Sequence, residues 1–195
     1  MTSQSLLNDR RFLPLFLTQL CGCFSDALLK TAFIMLVTYA SSMQTFYSDF
    51  LVNLANLVLI FPFIALGSIA GEVADKYEKS KLIKIIKFIE ILIVLFAILC
   101  FTTNSITLLL FSIALMGIHS TMFGPLKFSI LPEHLKKSEL VVANAYIEAS
   151  TFIGILIGTM IGGFYNLYPS FVLTTLFCSA VSGFIASQYL SLIHI

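Results

Sequence analysis

Gly117-Ile-His-Ser-Thr-Met-Phe-Gly-Pro-Leu-Lys-Phe-Ser-Ile-Leu-Pro-Glu-His-Leu135 begins inside an apolar run and ends in a polar, basic turn. Its Lys127 follows a Gly124-Pro125 pair while the hydrophobic segment is still in progress. Proline removes a backbone donor, so the pair predicts a bend or an end of the helix there. A cation beside a broken helix in apolar surroundings is costly and calls for a polar niche.

The rest of the chain has the composition of a membrane protein. Of its 195 residues 58% are hydrophobic and only 11% charged, and the mean hydropathy is +0.99. A soluble domain carries about 25% charged residues and could not hide this much apolar surface. The net charge of +1 implies no nucleic-acid partner. Cys21, Cys23, Cys100 and Cys178 all lie in apolar runs. They read as small packing residues, because nothing completes a metal site around the Cys21-x-Cys23 pair. No nucleophile–base arrangement or phosphate loop is evident, and no cofactor is expected.

Six hydrophobic segments are each near the roughly 20 residues that cross a bilayer. They run from about Phe12 to Ala40, Phe50 to Ala70, Leu82 to Phe101, Ile106 to Phe128, Leu140 to Phe164 and Ser170 to Tyr189. Apolar character on all sides predicts helices rather than strands. All eleven basic residues except Lys30 cluster before the first segment, around the second turn or around the fourth. By the excess of lysine and arginine on the inner side, the N-terminus is expected in the cytoplasm. The bundle is expected over residues 1–189. The closing hexapeptide, Leu190 to Ile195, reads as a non-native tail resembling a translated sequencing adapter.

Ionisable residues inside spans are the candidates for function. Asp26 lies near the middle of the first segment, where an ionised carboxylate is disfavoured by several kcal/mol. Asp26 and Lys30 share a helix face. They form either a self-neutralising pair or a cavity carboxylate with Lys30 reaching outward. Asn144, Glu148 and Thr151 share a face of the fifth segment, and Glu148 is expected to face a cavity. Glu90 is expected near the cytoplasmic edge in an i,i+3 pair with Lys87. His119 reads as a packing or hydrogen-bonding histidine, with a proton relay as the alternative, and His134 reads as a loop residue.

Two motifs carry a wider resemblance. Gly71-x-x-x-Asp75-Lys76-x-x-Lys79 resembles the cytoplasmic signature of the major facilitator superfamily, with Glu78 where a second glycine is usual. Gly71 is expected to allow close helix approach, and Asp75, Lys76 and Lys79 to form a conformational latch. The plain alternative is a solvated basic loop that sets topology. Gly154-x-x-x-Gly158-Thr159-x-x-Gly162-Gly163 resembles the fifth-helix motif of the same superfamily, with Thr159 in place of proline. These four glycines are expected to pack helix against helix.

A narrower resemblance covers the chain to about Gln188. Phe123-Gly-Pro-Leu-Lys127-Phe-Ser-Ile-Leu-Pro-Glu-His-Leu135, Arg10-Arg11-Phe12-Leu13-Pro14, Gly22-x-Phe24-x-Asp26 and Glu148-x-x-Thr151-Phe152 are similar to the bacterial lysophospholipid transporter family. Ser25 and Ala27 stand where that family commonly has asparagines. The resemblance implies an all-α integral membrane protein. Its six helices would form half of a twelve-span fold, built as a 3+3 inverted repeat. It further implies a multi-pass protein of the bacterial inner membrane that flips lysophosphatidylethanolamine or lysophosphatidylglycerol for reacylation by alternating access. Asp26, Lys127 and Glu148 would line the substrate cavity, joined by Lys30 and Asn144. The partners implied are the lysophospholipid, membrane lipid, a second six-helix half and a fused or associated acyltransferase with acyl-carrier-protein ligase. Lys127 suits a phosphate as a point charge. Other readings are an exporter of amphipathic small molecules or drugs, and a membrane anchor for an acyltransferase. Charges in several spans favour a pathway over an anchor.

Overall fold

The computed structural model describes residues 6–39 and 45–190. Seven helices follow in order: α1 (Leu13–Thr38), α2 (Thr45–Lys76), α3 (Lys79–Thr103), α4 (Ile106–Ser129), α5 (Leu131–His134), α6 (Leu140–Gly162) and α7 (Pro169–Gln188). All but the four-residue α5 are long and apolar enough to cross a membrane. No strand occurs among the described residues. The expectation of six spanning helices holds.

Three details of the helices bear on the expectations, two of them as corrections. The second helix continues through Gly71, Asp75 and Lys76, so the turn before α3 shrinks to Tyr77 and Glu78. Glu78 has extended backbone (φ −62°, ψ 114°), a conformation that requires no glycine. Pro125 does not end α4, which runs on to Ser129. Proline inside a membrane helix is tolerated where neighbours accommodate the freed carbonyl. His134 is not a loop residue but the buried last residue of α5.

The principal packing partners are α1 with α6, α2 with α4, α1 with α7, and α3 with both α4 and α7. Exchanging α1, α2, α3 for α4, α6, α7 maps these pairs onto one another. The α1–α6 contact becomes α4–α2, α1–α7 becomes α4–α3, and α3–α7 maps to itself. Each triplet crosses the bilayer an odd number of times, so the second begins on the opposite side. This is the inverted repeat of the superfamily fold.

Glycines set the closest approaches. A Cβ on Gly154, Gly158 or Gly162 would stand 2.8, 2.5 and 2.9 Å from the carbonyl oxygens of Leu20, Phe24 and Leu28. The α6 backbone therefore lies directly on α1, without side chains between. Gly117 plays the same part between α4 and α2, where a Cβ would stand 2.5 Å from the Leu59 carbonyl. Gly163 lies off this face. It is the C-cap of α6, and its Cβ would meet only carbonyls of its own last turn. Gly71 has open space around it, so no close helix approach depends on it.

The core consists of two apolar clusters with a gap between them. One holds Leu28 to Val37 of α1, Ile93 to Phe101 of α3 and Leu109 to Met116 of α4. The other holds Phe12 and Leu15, Ile83 and Ile86, and Phe123 to Leu131. Along α1, α3 and α4 the residues skipped by both clusters include Gln19, Ser25, Asp26, Lys87, Glu90, His119 and Ser120. A polar layer thus crosses the middle of an otherwise apolar bundle. Leu190 is buried in the second cluster; the remainder of the expected tail, 191–195, lies outside the described residues.

Candidate functional site

The polar layer opens into a cavity of about 290 Å³ between α1, α2, α4 and α6, touched also by Lys87 of α3. Asp26 and Lys30 reach it from α1, and Ser120 and Lys127 from α4. Leu59, Ile60 and Phe63 of α2 form an apolar side. One wall is charged and the other is oily.

Asp26 sits at the midpoint of α1. Its Oδ2 accepts a 2.6 Å hydrogen bond from the Ser120 hydroxyl. Its Oδ1 is buried with no partner. No ion pair joins Asp26 to Lys30 among the described residues, although both line the cavity. Of the two readings of that pair, the geometry favours the cavity carboxylate.

Lys127 lies near the end of α4, over the Phe128 ring, with its Nζ 3.4 Å from Glu148 Oε1. That separation is long for a charge-assisted hydrogen bond. The lysine side chain is 13% exposed and the glutamate 48%, so the pair is loose and half wet. Glu148 and Asn144 are exposed on α6 and do not form the cavity wall, whereas Thr151 of the same helix does. Thr151 accepts a 2.7 Å bond from the Gln19 side chain of α1.

Three residues that sequence reasoning kept outside the candidate cavity complete the layer. Lys87 Nζ donates to Glu90 Oε2 at 2.6 Å, and neither side chain is exposed. His119 Nε2 stands 3.4 Å from the same oxygen. The expected Lys87–Glu90 pair exists, but its expected place near the cytoplasmic edge is wrong. Glu90 follows the start of α3 by eleven residues, roughly 16 Å along the helix. The ammonium of Lys87 occupies a niche left by two glycines. A Cβ on Gly22 would stand 2.7 Å from Nζ, and one on Gly183 3.8 Å. The ammonium also lies 5.0 Å from the centre of the Phe123 ring. The signal for this cluster was present in the sequence: three ionisable residues near the middles of spans, facing helices that carry glycine.

The end of the bundle that holds the α2–α3 turn carries the second group of candidates. Asp75 and Lys76 are exposed at the end of α2, and no ion pair includes Asp75 among the described residues. Lys76 lies over the Tyr77 ring. Lys79 pairs with Glu133 of α5 at 2.5 Å, not with Asp75. Lys81 pairs with Glu78 at 2.5 Å. Arg11 is bound to Asp9 by a charge-assisted contact and reaches to 3.5 Å from the His134 carbonyl. The side-chain hydrogen bond from Arg11 holds the Asp9 carboxyl below its ordinary value.

A sequence profile described as Major Facilitator Superfamily matches residues 15–193. Similar curated proteins include several named Lysophospholipid transporter LplT. The one from Photorhabdus laumondii is 27% identical over 182 residues, 91% of this chain and 42% of its own length. The one from Yersinia pestis is 28% identical over 162 residues, 83% of this chain and 38% of its own length. The same figures hold for Yersinia pseudotuberculosis. The chain thus spans about two fifths of the length of these curated relatives. No solved structure matches it.

Proposed function

The chain belongs to the Major Facilitator Superfamily, and we propose that it forms the N-terminal six-helix bundle of a carrier that flips lysophospholipids across the bacterial inner membrane. It is a multi-pass membrane protein of a transporter family. The observation that carries the substrate class is the two-sided cavity. Asp26 and Lys127 offer opposite charges from one wall, and Leu59, Ile60 and Phe63 offer an apolar surface on the other. A lysophospholipid has the same division, a charged head on a single acyl chain.

In this reading Lys127 meets the phosphate. Its present partner, Glu148, is distant and half exposed, so a phosphate oxygen exchanges for it at small cost. Asp26 takes the positive or hydroxyl-bearing end of the head. The acyl chain lies along α2 and into lipid. A second bundle, joined to this one, closes the open side of the cavity, and rocking of the two bundles against each other exposes the cavity alternately to either side. The N-terminus lies in the cytoplasm, with the basic turns. An acyltransferase, fused or associated, reacylates the lipid that arrives.

The test is uptake of labelled lysophosphatidylethanolamine into spheroplasts by the full-length gene product. Lys127→Ala abolishes uptake while membrane insertion stays intact. Unchanged uptake would remove Lys127 from the mechanism. Uptake of an unrelated amphipathic drug, without any uptake of lysophospholipid, would overturn the substrate class.

A further inference from the structure

Three lysines line the cavity, and one of them has no counter-charge. Lys87 has Glu90 and the Phe123 ring, and Lys127 has Glu148 and the Phe128 ring. Lys30 is half-buried, with no ion pair, side-chain hydrogen bond or aromatic ring at its ammonium among the described residues. Asp26, one turn earlier, is held instead by the Ser120 hydroxyl at 2.6 Å. Nor does Lys30 escape along its helix. It stands about 12 Å short of the end of α1 at Thr38, more than a lysine stem covers. A half-buried ammonium without a partner is costly, and an anionic group entering the chamber offsets that cost.

Position separates Lys30 from Lys127. Gly154, Gly158 and Gly162 of α6 meet Leu20, Phe24 and Leu28 of α1 in turn, so the two helices run parallel. On that register Glu148, which stands 3.4 Å from the Lys127 ammonium, lies on the order of 18 Å before Asp26. Lys30 lies about 6 Å beyond Asp26 on the same axis. One phosphate therefore cannot touch both ammonium groups. Resting on the lysophospholipid reading above, we propose that Lys30 is a second phosphate-binding residue, on the far side of Asp26 from Lys127. With the N-terminus in the cytoplasm, Lys30 is the outer station and Lys127 the inner one. The phosphate of an incoming head meets Lys30 first and passes to Lys127 as the carrier changes face. The level between them keeps the stations apart. An ionised carboxylate has only acceptors to offer a phosphate, and the Ser120 hydroxyl is already donated to Asp26.

The test measures initial rates of labelled lysophosphatidylethanolamine transport by the full-length gene product in two preparations. Spheroplasts receive the lipid at the outer face, and inside-out membrane vesicles receive it at the cytoplasmic face. Lys30→Met removes the charge without leaving a polar group in the wall. It raises KM at the outer face roughly tenfold, the scale of a lost hydrogen bond to a charged group. KM at the cytoplasmic face, where Lys127 receives the phosphate, stays unchanged. Lys30→Arg keeps the charge and restores the outer KM. Lys30→Gln gives the same one-sided rise where Met fails to insert. A merely structural role would move both faces together. An equal rise at the two faces, or an outer KM that both Lys30→Met and Lys30→Gln leave unchanged, overturns the second station and leaves the transport reading standing. A wild type that carries no lysophospholipid from either face overturns both.

Discussion

Lys87 Nζ lies 2.6 Å from Glu90 Oε2 with both side chains wholly withdrawn from the surface. The pair is set between two apolar clusters, at the height where the charged wall of the cavity meets the packed interior. Removing one partner leaves a buried charge uncompensated. Lys87→Met alone or Glu90→Leu alone is expected to cost about 3–5 kcal/mol, whereas the double substitution recovers most of it. Thermal unfolding in detergent, followed by size-exclusion chromatography, gives the four corners of that cycle. Additive losses in the double variant would mean the two residues do not stabilise each other.

The glycines divide into two kinds. Gly158→Val and Gly117→Val force a side chain into a backbone carbonyl at 2.5 Å and are expected to separate α6 from α1 and α4 from α2. Both should reduce the yield of folded protein severely. Gly71→Ala meets nothing within 4 Å and lies in the last turns of a helix, so it is expected to stabilise by about 0.5–1 kcal/mol. Melting temperatures of the three variants check the contrast.

The helix ends flanking the turn between α2 and α3 hold a partnered lysine, Lys79, and an acid, Asp75, with no ion pair among the described residues. Lys79 and Glu133, both near the surface, are expected to couple by only about 0.2–1 kcal/mol in a double-mutant cycle, and less in high salt. We propose that Asp75 acts in the other conformation of the carrier. Asp75→Asn is then expected to leave the melting temperature unchanged and to slow lysophospholipid uptake. Unaltered uptake would reduce this turn to a basic loop that sets topology.

Asp9 gives a pH dependence whose sign follows from its partner. The Arg11 hydrogen bond depresses the carboxyl below 3.8. A depressed carboxyl contributes stability that is fully present above the unfolded value and is lost as pH falls through the folded one. The N-terminal segment is therefore expected to loosen only below pH 3.8. A fluorophore placed before Arg10 should report that step, and Asp9→Asn should abolish it.

Much of the architecture was legible from residues alone. The lengths of the apolar runs determine six spans, because each backbone polar group in lipid must be satisfied within its own helix. Gly154, Gly158 and Gly162 recur at helical spacing, and that recurrence places them on one face whatever the neighbours are. The identity of the helix they meet, α1, came only from packing. So did Lys79's partner, which lies 54 residues away, and the exit of Gly163 from the packed face.

The polar layer shows the same division most clearly. Asp26 announces itself, because a carboxylate in the middle of a span is expensive wherever it points. Lys87, Glu90 and His119 are equally ionisable, yet α3 and α4 are apolar on nearly every side, so no polar stripe marks which way these residues turn. That direction is decided by the rotation of each helix against its neighbours. Gly22 and Gly183 admit the lysine ammonium, and α4 brings His119 to Glu90. Chain chemistry determined that costly charges exist in the membrane; the mutual register of the helices decided that Asp26, Lys87 and His119 border one chamber, with Glu90 packed behind them.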